Sequence, residues 1–323
     1  MTSRRIVIAG GLSTLTFAAA LALMPMADAA FGQSPVPSPT KTAVTTNGLV
    51  ANFYVPPDAH DPLPAVIVIG GSGGGMDART AWQARVLAEH GYATLELAYF
   101  AAPGLPTFPD LNPLEYFKTA IDWLRAQPGV DPNRIGIVGT SLGGLAALLV
   151  AAHYPDLKVV VAAVPSSVIW SAFGSSLISM FSLAGQPLPF LPIGLRGGAP
   201  DYDDGLNALA QHPDAIIPVE KINGPVMVIC GKVDSAWPSC RMSAQVIARL
   251  KAHKFQHAFQ LLDYADGGHF VFGPPVAPEN PNFVSLGING GSPASNNAAR
   301  IDSWPKAVTF IDAALKPGGR LQP

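Results

Sequence analysis

A serine hydroxyl becomes a useful nucleophile only when a base takes its proton. The base in turn needs a partner that fixes its tautomer and balances its developing charge. Gly139-Thr140-Ser141-Leu142-Gly143 follows the apolar run 135–138 and leads straight into a helix-forming stretch of small apolar residues. Gly-x-Ser-x-Gly between a strand and a helix is a nucleophile elbow, a strained turn whose two glycines leave room for close packing. The same pentapeptide recurs at Gly70-Gly71-Ser72-Gly73-Gly74, also behind an apolar run. The motif by itself does not choose between Ser141 and Ser72.

Order along the chain favours Ser141, because elbow hydrolases place the acid and then the base after the nucleophile. Five histidines follow it: His153, His212, His253, His257 and His269. The first four read as helix, insertion or strand-flanking residues. His269 stands in Asp266-Gly267-Gly268-His269-Phe270 after the last strand, where glycines let the ring reach over the rim, and is the expected base. Asp234, in Gly231-Lys232-Val233-Asp234 behind the preceding strand, is the expected acid. Asp263 and Asp266 share the strand end and loop of the base and read as structural, while Asp201, Asp203 and Asp204 read as a solvated turn. An oxyanion needs two backbone N–H donors, one from the residue after the nucleophile and one from the loop after the third strand. Leu142 supplies the first and Ser72 the second, which gives the duplicate motif a role; Ser72 as nucleophile is the disfavoured alternative.

The elements that must position these groups follow from the apolar pattern. Residues 41–46 and 49–55 around Asn47-Gly48 predict a hairpin. After it, strands at 65–69, 93–99, 135–138, 159–164, 226–230 and 258–262 alternate with helices at 81–90, 114–125, 142–154, 242–252 and 299–315. This predicts an α/β fold: a mostly parallel eight-stranded sheet with helices on both faces and its site outside the carboxyl ends of the strands. Residues 165–223 interrupt the rhythm and predict a lid-like insertion. Its aromatics line an acyl pocket or form a small core of their own; Trp170 and Phe173, with Trp237 beside the acid, are the pocket candidates. Glu96, a charge inside an apolar strand, needs a partner and reads as structural.

The first residues concern the address. Ser3-Arg4-Arg5-Ile6-Val7, a weakly hydrophobic run and Ala27-Asp28-Ala29 predict a twin-arginine signal peptide over 1–29, cleaved after Ala29, and a periplasmic or secreted protein without stable membrane insertion. A flexible linker over 30–40, one domain over 41–318 and a tail over 319–323 complete the expected organisation. In an oxidising compartment Cys230 and Cys240 are candidates for a disulfide. The chain's net charge is −2, and −3 once Arg4, Arg5 and Asp28 leave with the signal peptide, which argues against nucleic acid or anionic lipid as a partner. No metal-ligand spacing, phosphate loop or dinucleotide fingerprint is present, so no metal and no cofactor are expected.

The stretches AVIVIGGSGGG, HGYATLELAYF, LEYFKTAIDWL, RIGIVGTSLGG, IPVEKINGPVMVICGKVDSAWPS, DGGHF and GGSPASNNAARIDSW together resemble the C-terminal catalytic domain of the acyl-CoA thioester hydrolase and bile acid-CoA:amino acid N-acyltransferase family, relatives of dienelactone hydrolase. The resemblance implies an α/β-hydrolase fold with Ser141 as nucleophile, Asp234 as acid and His269 as base. Multidomain members carry a β-sandwich before this domain, whereas only a hairpin precedes it here. The function expected is that of an exported serine hydrolase cleaving carboxylic esters or thioesters of a largely apolar acyl group, its partner a small-molecule substrate. An acyltransferase using an amine or alcohol acceptor and a catalytically silent binding protein are the alternatives.

Overall fold

Runs rich in Val, Ile, Leu and Ala pair into one eight-stranded sheet in the computed structural model, which describes residues 38–57, 59, 62–173, 177–197, 199–319 and 321. The expected signal peptide lies outside the described residues. Strands β1 (Thr40–Val44) and β2 (Val50–Val55) form the expected hairpin. Asn47 and Gly48 close it at φ 56° and 76°, the left-handed conformation that Asn-Gly tolerates. The other strands are β3 (Leu63–Ile69), β4 (Ala93–Ala98), β5 (Val130–Thr140), β6 (Leu157–Ala163), β7 (Val226–Gly231) and β8 (Phe259–Tyr264). Their spatial order is β1-β2-β4-β3-β5-β6-β7-β8, antiparallel through the β2–β4 pair and parallel from β4 onward. The mostly parallel sheet predicted from the sequence is therefore observed, with β5 near its centre.

Period-two geometry explains why the inner strands are apolar throughout. In β3, Ala65, Ile67 and Ile69 enter one core while Val66 and Val68 enter the other, because successive side chains point to opposite faces. Helices α1 (Ala78–Glu89) and α5 (Pro293–Leu315) cover one face. Helices α2 (Leu114–Arg125), α3 (Leu142–His153) and α4 (Ser239–Ala252) cover the other. In α3 every residue from Leu142 to Ala152 is buried, so this helix is apolar on all sides. The residues that wrap it include Ile217, Val219 and Ile222, from the segment between β6 and β7.

That segment has little regular structure. It contains a short strand, Phe181–Leu183, paired with Gln186–Pro187 and Asn112–Pro113, a small hairpin of Gly194–Arg196 with Ala199–Asp201, and one helical turn and a half at Tyr202–Asn207. Three helices begin earlier than the apolar pattern predicts. At α5 the reason is a cap: Ser292 and Ser295 satisfy each other's backbone N–H groups, and Pro293 occupies the first turn, where no N–H is needed. At α1 the Asp77 carboxylate accepts from the N–H groups of Arg79 and Thr80.

Candidate active site

Strand β5 ends at Thr140, and the next residue, Ser141, takes φ 61° and ψ −123°, an unfavourable conformation for a residue with a side chain. Its N–H donates to the Ala163 carbonyl at 2.8 Å, tying the turn to the end of β6. Steric contacts account for the glycines around it. A Cβ on Gly139 would lie 2.0 Å from the Gly143 carbonyl oxygen, and one on Gly143 would lie 2.3 Å from that of Gly70. The second pentapeptide abuts the first: a Cβ on Gly71 would come within 2.9 Å of Ser141 Cβ. Ser72 sits exposed in that loop. Among the described residues, neither the Leu142 nor the Ser72 N–H has a protein acceptor.

Behind β7 the chain turns through Asp234 into α4. The Asp234 side chain is only 1% exposed. Its Oδ1 accepts from the N–H groups of Ala236 and Trp237, at 2.9 and 3.4 Å. Its Oδ2 accepts from the Ser239 hydroxyl at 2.6 Å and faces His269 Nδ1 at 2.8 Å. His269 Nε2 lies 2.9 Å from Ser141 Oγ. A carboxylate only accepts, so the imidazole carries its proton on Nδ1 and Nε2 is free to accept from the serine hydroxyl. The three residues predicted from their order and their place in glycine-rich loops after strands thus form one hydrogen-bonded line across the ends of β5, β7 and β8.

The histidine is fixed by its loop. Its N–H donates to the Asn289 carbonyl at 2.9 Å, and the preceding Gly268 N–H donates to Asn296 Oδ1 at 2.6 Å. Asn296 is fully buried and gives its amide protons to the Leu286 and Gly290 carbonyls, at 2.6 and 2.9 Å. Close packing also requires Gly268, where a Cβ would meet the Gly290 oxygen at 1.9 Å. Ser239 and Asn296 were not anticipated as part of the site. Their only signal in the sequence is a polar residue at the start of a helix, and its target is visible only once the loops are folded. Asp263 pairs with Lys232, in keeping with the structural role expected of it, and Asp203, expected in a solvated turn, stands in the short helix Tyr202–Asn207 and pairs with Arg241.

The predicted disulfide is formed. Cys230, in β7, is bonded to Cys240, in the first turn of α4, so the bridge spans the two ends of the loop that carries Asp234. The three aromatic pocket candidates stand in different places. Trp237 donates its indole N–H to the Val164 carbonyl at 3.0 Å, and its ring centroid lies 6.2 Å from that of His269. Tyr202 packs edge-on to Trp237 at 5.7 Å and to Trp170 at 5.1 Å. Trp170 has no exposed surface, bonds Ser166 Oγ and belongs to the main core on the α2, α3 and α4 face of the sheet instead of lining a pocket. Phe173 is half-buried against the same core. Glu96 is buried and accepts from Asn52 Nδ2 at 2.8 Å and from the Tyr54 hydroxyl at 3.0 Å. Burial pushes its carboxyl up, and these two hydrogen bonds oppose the shift. Among the described residues, no group of three or more His, Cys, Asp or Glu side chains converges as for a metal, and no helix is long and apolar enough to cross a membrane.

Residues 112–317, which carry all three members of the hydrogen-bonded line, match the family described as BAAT / Acyl-CoA thioester hydrolase C terminal. The chain belongs to this family. A second family, BD-FAE, matches residues 51–162. Acyl-coenzyme A thioesterase 1 of Rattus norvegicus is 28% identical over 295 residues, which cover 88% of this chain and 67% of that protein. The peroxisomal succinyl-coenzyme A thioesterase of Mus musculus is 28% identical over 291 residues, covering 86% and 66%. The chain therefore spans about two thirds of the length of these relatives. Among solved structures, a putative dienelactone hydrolase from Klebsiella pneumoniae superposes with a TM-score of 0.55 at 19% identity, covering 84% of this chain and 97% of its own. A dienelactone hydrolase-like promiscuous phosphotriesterase from metagenomic libraries gives 0.55 at 17% identity, covering 86% and 99%. Both show that the fold is that of the α/β-hydrolases, as the sequence stretches imply.

Proposed function

We propose that this family member is an exported serine hydrolase that cleaves carboxylic esters or thioesters of a largely apolar acyl group through an acyl-enzyme. The observation that carries the reading is the continuous line Asp234–His269–Ser141, with the serine in the strained elbow at the sheet's carboxyl edge. Ser141 Oγ adds to the acyl carbonyl carbon while its proton passes to His269 Nε2, and Asp234 balances the imidazolium so formed. The oxygen that becomes negative is held by the Leu142 and Ser72 N–H groups, each donor of this kind contributing about 10²–10³ in rate. The carbon–oxygen or carbon–sulfur bond then breaks, and Nε2 returns the proton to the departing alcohol or thiol. Water, deprotonated by the same nitrogen, adds to the acyl-enzyme, releases the acid and restores Ser141. The thioesterases among the relatives support a thioester as one substrate class. The twin-arginine pattern and the disulfide support export.

Ser141→Ala should lower turnover of a short-chain nitrophenyl ester by about 10⁴-fold or more, with an unchanged circular dichroism spectrum. A fluorophosphonate should label the wild type at Ser141 and leave the variant unlabelled. Retained activity in the variant, or labelling at Ser72 instead, would overturn the assignment. For export, the mature protein should begin at Ala30, and an N-terminus before Ala27 refutes cleavage.

A further inference from the structure

Among the described residues, arginines have acidic partners, with two exceptions. Arg85, Arg125, Arg134, Arg196, Arg241 and Arg249 each pair with a carboxylate. Among the described residues, Arg79 and Arg300 do not, and they stand together beside the histidine loop. The Arg79 side chain is exposed, its guanidinium carbon 4.3 Å from the centre of the Phe270 ring and its Nη2 3.2 Å from Ser285 Oγ. Phe270 follows His269 directly, with 5.8 Å between the two ring centroids. Arg300 is buried, its Nε and Nη2 both donating to the Pro274 carbonyl at 3.0 and 2.8 Å. Burial, and after it the charge of Arg79, push the Arg300 guanidinium down to about 10. The acid nearest in sequence, Asp77, is committed elsewhere: its oxygens accept from the Arg79 and Thr80 N–H groups and the Thr80 hydroxyl.

Two mutually repelling cations, neither ion-paired to a carboxylate, one enclosed and one presented to solvent, favour a positive potential beside the histidine loop. Ring stacking and the Ser285 contact preset the outer guanidinium, and most of its N–H donors remain free to bind an oxyanion. Only Arg79 is placed to touch a ligand; Arg300 acts through its field. We propose that Arg79 binds an oxyanion, a carboxylate or phosphate carried by the substrate, beside the bond that Ser141 attacks. This rests on the hydrolase reading above, and it adds a charged end to a substrate otherwise described as apolar.

The test compares a nitrophenyl monoester of a dicarboxylic acid with the neutral ester of the same chain length, in the wild type, Arg79→Gln, Arg79→Lys and Arg85→Gln. The ratio of kcat/KM, charged over neutral, should fall about ten- to hundredfold in Arg79→Gln, chiefly through KM. Arg79→Lys should restore part of it. Arg85→Gln, which removes the same charge further along α1, should leave the ratio as it is. A second pair, an acyl-CoA and the corresponding acyl-pantetheine, reports an oxyanion on the leaving group; a fall in that ratio places the bound group there and supports the same role for Arg79. Unchanged ratios in both pairs overturn the proposal. If the wild type turns over none of these substrates, the hydrolase reading fails, and calorimetry then decides the anion site separately. Binding of the dicarboxylic acid or of pantetheine phosphate to Ser141→Ala protein that disappears with Arg79→Gln upholds the site, and binding indifferent to Arg79 refutes it.

Discussion

Asp234 shows how much of a side chain's behaviour is decided by its neighbours. Oδ2 meets two donors, the His269 ring and the Ser239 hydroxyl, and Oδ1 meets two backbone N–H groups, so the carboxylate has one orientation in which all are satisfied. Hydrogen bonds to a charged, enclosed group are worth about 1.5–3 kcal/mol. Ser239 itself is fully buried. Ser239→Ala should therefore lower kcat for a nitrophenyl ester about tenfold with little change in KM, and Ser239→Thr should recover most of the loss. Equal kinetics for Ser239→Ala and wild type would show that the backbone donors suffice. The line Ser141, Asp234 and His269 was readable because the order of these residues and their glycine-rich surroundings are local properties of the chain. Ser239 was not, since its target is set by the turn from 234 to 239, and Trp170 was read too generously as a pocket candidate because burial cannot be seen in composition.

At the scale of elements, the loop that joins β7 to α4 carries Asp234 and is closed at its base by the Cys230–Cys240 bridge. Closing a loop of this length stabilises the folded state by about 2–3 kcal/mol, mostly by restricting the unfolded chain. The bridge also ties together the strand before Asp234 and the helical turn that carries Ser239. The double variant Cys230→Ser, Cys240→Ser should therefore unfold roughly 4–8 °C lower and lose kcat even at temperatures where it stays folded. If its kcat matched the wild type at 20 °C, the bridge would contribute to stability alone. Strands and helices around this loop were legible because apolar runs covered on both faces alternate with helical spacing. Residues 165–223 were recognisable only as an interruption. Their short strands, Phe181–Leu183 and Gly194–Arg196, have no periodicity of their own and exist because Phe181 packs on Phe117 and Trp170 on Tyr202.

Across the whole molecule, two buried or half-buried glutamates respond to pH in opposite directions. Glu220, at the end of the insertion, takes a two-pronged bond from Arg249 of α4, Nε to Oε2 at 2.5 Å and Nη2 to Oε1 at 2.7 Å. This pairing holds its carboxyl below the ordinary range. A carboxyl depressed in the folded state contributes stability above its unfolded pKa and loses it as pH falls through the folded value. Glu220→Gln should therefore be less stable than wild type at pH 7 and approach it near pH 3. Glu96 behaves in reverse. Desolvation raises its carboxyl, so its contribution is fully present below the unfolded glutamate pKa and is lost as pH rises through the folded one. Glu96→Gln keeps an oxygen to accept from Asn52 or Tyr54 and removes the cost of charging a group enclosed within the sheet. Its advantage over wild type should be nil near pH 4 and grow toward pH 8, in urea denaturation measured at steps across that range. An advantage that stayed constant with pH would mean that Glu96 titrates alike in the folded and the unfolded chain, and the pH-linked cost assigned to it would not exist.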